Sequence, residues 1–428
     1  MFTNRGRGGP TVRPVMLANV KWRAAAGAHR WPTAKNGYLC TPARTMPAGR
    51  PPRSGQPPCR QAATAATQPR PTDMTTDCRR LAAEATGLLR RLIATPSVSR
   101  DEKAAADIIE QFMEDRAMRP RREANNVWAV APGHDDSRPT LLLNAHIDTV
   151  KPVASWTRDP FCPTVEGGRL YGLGSNDCGG GLVSLLATYA AMARAPRAYN
   201  LVCLASAEEE VSGADGISRA LPLLPRIDVA IVGEPTGMQP AIAEKGLMVV
   251  DAVARGRSGH AARAEGVNAI YKAIDDIAWL RSHRFGRVSP LLGPTLATVT
   301  VIGAGTQHNV VPDECRFTID VRSNELYTNA ELLDELRAGM GSELTPRSTR
   351  LGSSAIDPAH PLVERCRAMG MVPFGSPTLS DQALMPFPSM KLGPGESARS
   401  HSADEYIALD EIASAIDTYT RLLDGLRL

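Results

Sequence analysis

Aromatic residues make up only 5% of this 428-residue chain. It has no run of about 18 apolar residues, which excludes a membrane-spanning helix. The eight cysteines are Cys40, Cys59, Cys78, Cys162, Cys178, Cys203, Cys315 and Cys366, and none form a C-x-x-C pair. Their irregular spacing argues against a zinc ribbon or a disulfide framework and for reduced thiols in a cytoplasmic protein. Internal repeats of roughly 20–50 residues are missing, so a solenoid is excluded. Acids are nearly absent from residues 1–73, where Asp73 stands alone against twelve Lys and Arg. The whole chain carries +4, so the positive charge belongs to this segment and the remainder is mildly acidic. An acidic body argues against nucleic-acid binding.

Residues 1–73 also hold eleven prolines and seven glycines, and stretches such as Gly49-Arg50-Pro51-Pro52-Arg53 cannot propagate a helix or strand. No apolar core follows the basic start, which argues against a secretory signal, and the prolines break the amphipathic pattern of a transit peptide. Residues 1–77 are therefore expected to be a disordered basic tail, or an upstream extension of a protein that begins at Met74.

With 43% hydrophobic residues, the rest can bury a large core. Helical apolar spacing marks 79–93 and 101–116, in Leu81, Leu88, Leu89 and Leu92 and in Ala105, Ile108, Ile109 and Phe112. Short apolar runs at Leu141-Leu142-Leu143, Leu201-Val202-Cys203-Leu204 and Val229-Ala230-Ile231-Val232 read as buried strands. A helix from Leu182 to Ala193, opened by Gly179-Gly180-Gly181, separates the first two. Strands alternating with helices predict an α/β fold with a mostly parallel sheet covered on both faces. Near residue 244 the pattern changes to strand 247–253, helix 264–282, strands 295–302 and 316–321, and helix 329–340. This run resembles a split βαβ, ferredoxin-like unit. The α/β style returns with helix 360–369, strand 389–392 and helix 408–426. The expectation is a catalytic domain of residues 78–243 and 351–428, with a smaller domain, 244–350, inserted into it.

Five groups of acids and histidines lie at the ends of strand-like runs, where open α/β sheets place their ligands. In Asn144-Ala145-His146-Ile147-Asp148, residues two apart face one side of an extended chain. His146 can then bind a metal while Asp148 accepts its other ring N–H. In Gly172-Leu173-Gly174-Ser175-Asn176-Asp177-Cys178-Gly179-Gly180-Gly181, Asp177 stands where a dinucleotide fingerprint needs Gly, and no Gly-Lys-Ser/Thr ending makes a P-loop. An Asp among glycines at a helix start suits a cation, and Cys178 beside it reads as a packing residue. Glu208-Glu209-Glu210 follows the second strand and offers a ligand and a general base. Gly233-Glu234-Pro235-Thr236 follows the third. Gly393-Pro394-Gly395, whose glycines let a ligand approach the backbone, precedes His401, Asp404 and Glu405.

In order and spacing these five motifs resemble the zinc amidohydrolase family of acetylornithine deacetylase, succinyl-diaminopimelate desuccinylase, carboxypeptidase G and aminoacylase. The resemblance covers about residues 78–428 and leans to the acetylornithine deacetylase branch through 233–238, 243–247 and 258–263. It implies a site for two divalent ions, zinc in the first place, with cobalt or manganese accepted by the same ligand types. Asp177 would bridge them, His146 and Glu234 holding one and Glu210 and His401 the other. Glu209 would be the general base acting on a metal-activated water, with Asp148 behind His146. His260, in Ser258-Gly259-His260-Ala261, matches a lid histidine that stabilises the oxyanion, often across a homodimer formed through the lid. Arg322 matches the arginine that binds the substrate α-carboxylate, and Asn309, Gly393 and Gly395 are implied substrate contacts. The family more often reads Asp-Glu-Glu at 208–210. Two registers therefore stay open, Glu209 as base with Glu210 as ligand, or Glu208 with Glu209, and Ala207-Glu208 favours the first. The implied reaction is hydrolysis of an N-acyl amino acid, N2-acetyl-L-ornithine first, in arginine synthesis. Acetylcitrulline, succinylornithine, succinyl-diaminopimelate and dipeptides are rival substrates. A silent amino-acid-binding homologue would lack a ligand or the base, and none is missing.

Overall fold

The computed structural model describes residues 76–428, so the expected tail lies almost wholly outside the described residues. Its centre is a nine-stranded sheet. Asn200–Ser206, Thr140–His146, Val229–Val232 and Ser389–Lys391 lie side by side and parallel in its middle. Antiparallel strands flank them, Asn126–Val130 on one side and Ala241–Glu244 on the other. All seven residues of Thr140–His146 are buried, as a parallel strand covered on both faces requires. Leu141, Leu143 and Ala145 pack with the helices Thr76–Ile93, Gly180–Met192 and Leu409–Leu423, while Leu142 joins Val202, Leu204 and Ala230 on the other face.

A second, four-stranded antiparallel sheet is built from Leu296–Ala304, Glu314–Arg322, Met248–Arg255 and Glu343–Pro346, in that spatial order. Met248, Val250, Ala252 and Ala254 alternate inward against the helices Ala269–Ser282 and Asn329–Gly339, in a core separate from that of the large sheet. The order strand, helix, two strands, helix is as expected from the sequence, with Glu343–Pro346 added at its end. The first of these helices starts at Ala269 rather than 264, because the Asn268 side chain caps it by accepting from Ile270 N (2.9 Å). A small sheet of Thr164–Glu166, Arg169–Tyr171 and Tyr406–Ala408 was not legible in the sequence. No helix of the described residues is long and apolar enough to cross a membrane.

Candidate metal centre

Thr140–His146 ends at His146, and its neighbour Asn200–Ser206 runs into the turn Ala207-Glu208-Glu209-Glu210. Val229–Val232 ends at Gly233-Glu234 on the other side. The sheet therefore delivers three of the sequence motifs to one edge. The fourth arrives because the first turn of the helix Gly180–Met192, just after Asp177, passes close to Gly233. A Cβ on Gly181 would lie 1.7 Å from the Gly233 carbonyl oxygen, so this crossing requires glycine.

His146 is buried, and its Nε2 lies 3.3 Å from Asp177 Oδ1 and 3.7 Å from Glu234 Oε1. On the other side His401 Nε2 lies 3.0 Å from Glu210 Oε2 and 3.7 Å from Asp177 Oδ2. Asp177 thus stands between the two histidines, one carboxylate oxygen toward each. Ligand atoms of His146, Asp177 and Glu210 fall within 4.8 Å of one another, as do those of His146, Cys178 and Glu234. Burial holds the Cys178 thiol far above its usual range, which keeps it protonated. It accepts from His146 N (3.2 Å) and donates to His146 O (3.5 Å), a packing arrangement.

The donor set suits cations. Glu234 Oε1 is buried without a hydrogen-bond partner. Burial, then the charge of Asp177, pushes the Glu234 carboxyl up to about 8. Burial also holds Glu209 well above the usual carboxylate range, with Glu234, Asp381 and Glu210 adding to it against His146. Carboxylates crowded in this way resist ionising until a positive charge is placed among them.

Asp148 lies beside both His146 and the turn that carries the acids. The strand ends at His146, and the His146 Nδ1–H is directed at the backbone carbonyl of Asp148 (2.9 Å), with the carboxylate farther off at 3.6 Å. That carboxylate also accepts from Ser99 Oγ (2.7 Å), Glu209 N (3.0 Å) and Glu210 N (3.2 Å). It fixes the turn that carries the acids, while the carbonyl still fixes the ring tautomer. Glu208 turns away, its Oε2 accepting from Asp215 N (3.4 Å).

His260, Asn309 and Arg322 belong to other elements. Gly259–His260 pairs with Val310–Val311, and Asn309 O accepts from Ala261 N (3.0 Å). The Arg322 fork is engaged by Asp320, at 2.7 and 3.1 Å. Among the described residues, no hydrogen bond or ion pair links these three to the carboxylate cluster. Gly393 and Gly395 permit close approach of the chain to itself. Cβ atoms there would meet Glu234 O at 2.5 Å and Asn176 Oδ1 at 2.2 Å.

Several supporting residues had no assigned role in the sequence reading. The Asn144 side-chain amide lies 2.9 Å from Ser206 Oγ, which donates to Asp381 (2.6 Å) behind the cluster. Glu405 is buried and accepts from Gly174 N (3.1 Å), Asn176 N (2.8 Å) and Asp177 N (2.9 Å). It holds the loop that presents Asp177. Glu405→Gln would set an amide NH2 against these donors and should weaken metal affinity by roughly 10–100-fold, as loss of an outer-sphere support does. A competition titration with a chelating dye checks this, and unaltered affinity would rule out the role.

Two histidines and several carboxylates gathered at the carboxyl edge of a parallel sheet define an α/β metallo-hydrolase. Residues 142–425 match the peptidase family M20/M25/M40, and the chain belongs to that family. It is similar to the acetylornithine deacetylase of Shigella sonnei, 32% identical over 75% of this chain and 92% of that one. It is also similar to the enzyme of the same name from Edwardsiella ictaluri, at 29% over 78% and 96%. Among solved structures, the aminopeptidase PepT of Bacillus cereus shares the fold with a TM-score of 0.64 at 19% identity, covering 81% of this chain and 98% of that one. The YXEP protein of Bacillus subtilis, described as a dinuclear metal-binding peptidase of the M20 family, gives 0.62 at 17%, covering 81% and 100%.

Proposed function

We propose that this protein removes the acyl group from an N-acyl amino acid, N2-acetyl-L-ornithine in the first place, using two divalent cations, zinc by preference. The observation that carries the reading is Asp177 lying between His146 and His401, with Glu234 beside the first and Glu210 beside the second. His146, Glu234 and Asp177 would hold one ion, and Glu210, His401 and Asp177 the other. Three protein ligands per ion leave a coordination position free, as catalysis requires. When bound, the ions supply Lewis acidity toward the substrate carbonyl and lower the pKa of water. Glu209 takes the proton from the attacking water and delivers it to the leaving amine. Asp148 and Ser99 fix the Glu209–Glu210 turn, and Glu405 fixes the Asp177 loop.

Residues 244–350 act as a lid in this reading, carrying Arg322 for the α-carboxylate, Asn309, and His260 for the oxyanion. Among the described residues the lid's outer strand, Leu296–Ala304, has one edge unpaired, with Leu296, Val301 and Ile302 each more than half exposed. Such an edge suits pairing with a second copy. Cys162, Cys178, Cys203, Cys315 and Cys366 are free thiols, in keeping with a reducing compartment such as the cytoplasm.

A hydrolysis panel with added metal tests the substrate. Acetylornithine should give the highest kcat/KM among acetyl- and succinylornithine, acetylcitrulline and succinyl-diaminopimelate. A succinyl substrate turned over faster would overturn the acyl assignment. Arg322→Ala should lower kcat/KM for the acyl amino acid tens to hundreds-fold, since a charge-assisted bidentate pair is worth on the order of 2–4 kcal/mol. An analogue whose α-carboxylate is replaced by carboxamide should show no such loss. Equal losses for both would assign Arg322 a structural role.

A further inference from the structure

We propose that Asp320 is a positioning residue for substrate recognition, gripping one edge of the Arg322 guanidinium so that the other edge faces the substrate α-carboxylate. This rests on the reading of Arg322 given above. Both residues come from the strand Glu314–Arg322 and, two apart, share one of its faces. Asp320 Oδ1 accepts from Arg322 Nε (2.7 Å) and Oδ2 from Nη2 (3.1 Å). This is the side-on fork. A guanidinium has a second, end-on fork formed by its two Nη atoms, and it too matches a carboxylate in two parallel hydrogen bonds. Among the described residues Arg322 Nη1 donates to no partner, and the side chain is 36% exposed. The end-on edge is therefore open while the side-on edge is held.

Other ion pairs lie along the same strands, including Arg255 between Glu314 and Glu343, and exposed pairs of this kind contribute little to stability. Position sets Arg322 apart. It ends its strand, and the next residue, Ser323, accepts from Gly246 N (3.2 Å) in the segment that joins Ala241–Glu244 of the large sheet to Met248–Arg255 of the small one. Arg255 and Glu314 pair at the opposite end of these strands. An arginine at the border of the two sheets is placed to meet a ligand held at the metal centre, and a fixed fork loses less freedom on binding than a free one. The Asp320 charge acts the other way, because it repels an incoming carboxylate. The proposal is that orientation outweighs that repulsion.

Kinetics of the metal-loaded enzyme decide between the two effects, using the acyl amino acid and its α-carboxamide analogue. Asp320→Ala should raise KM for the carboxylate substrate roughly three- to tenfold, the equivalent of ordering one long side chain. Its kcat should be unchanged, and the carboxamide should be handled as before. Asp320→Asn keeps an acceptor for Nε and should fall between Asp320→Ala and the unaltered protein. It also serves if the alanine variant folds poorly. Glu343→Ala, which removes an ion pair at the far end of the sheet, should change neither substrate. An unchanged or lowered KM in Asp320→Ala, beside a carboxylate-selective loss in Arg322→Ala, would overturn the positioning role while leaving Arg322 in place. Equal losses for both substrates in Arg322→Ala would overturn the reading of Arg322, and the role of Asp320 with it.

Discussion

Glu209→Gln should lower kcat roughly 10²–10⁴-fold and leave the bound metal near that of the unaltered protein. That loss corresponds to about 3–5 kcal/mol of transition-state stabilisation, the range expected when a general base is removed. Two features of the site make the substitution selective. The Glu209 backbone is fixed by its N–H to Asp148 (3.0 Å), so the turn does not depend on the Glu209 side chain. The histidines, moreover, face other carboxylates, His401 toward Glu210 and His146 toward Asp177 and Glu234. Glutamine keeps the shape and cannot take a proton. Glu210→Ala should have the opposite signature, a loss of metal, because it removes the carboxylate nearest His401. Metal analysis of both variants beside single-turnover kinetics separates the two. If Glu209→Ala lost metal while Glu210→Ala kept it, the register would be shifted by one. The direction of Glu208 toward Asp215 N rather than toward the histidines supports the register used here.

The parts of the fold that the sequence made legible are those whose signal is local. Leu141-Leu142-Leu143, Leu201 to Leu204 and Val229 to Val232 are continuous apolar runs because both faces of their strands are covered. The acids and histidines were legible because each follows such a run or a glycine-rich turn. What could not be read depends on pairings far apart in the chain. Tyr406–Ala408 is three residues long and pairs with Arg169–Tyr171, so neither strand has enough length to show a period. Glu405 was visible as an acid near His401, but its three backbone partners lie more than 200 residues earlier. Asp148 was legible as a neighbour of His146, but its contacts with the acidic turn were not. Those contacts are with Glu209 N and Glu210 N, about 60 residues later in the chain, so no local pattern announces them. The Asp320–Arg322 pair is two residues apart, yet the choice of which fork Asp320 takes is a rotamer property that no pattern of residue types conveys.

Two inactive variants, Glu209→Ala and His260→Ala, should regain activity when mixed. His260 is exposed, and its Nδ1 accepts from Ala262 N (3.2 Å). In the neutral ring that assignment leaves the proton on Nε2, which is then a donor directed away from its own turn. Among the described residues no hydrogen bond joins that nitrogen to the carboxylate cluster of its own chain, and the proposal is that it serves the site of a second copy. An oxyanion donor is worth about 2.7–4 kcal/mol, or 10²–10³ in kcat, so His260→Ala alone should lose that much and keep its metal. In a mixed dimer, one site would combine the intact Glu209 of the His260→Ala chain with the intact His260 of the Glu209→Ala chain. With free exchange, half of the dimers are mixed and each has one working site, so about a quarter of the unaltered activity should return. Differently tagged chains, co-purified through both tags, establish that exchange has occurred. Sedimentation should show a dimer in the unaltered protein. A mixture that stays at the level of the separate variants despite verified exchange would place His260 outside the partner's site.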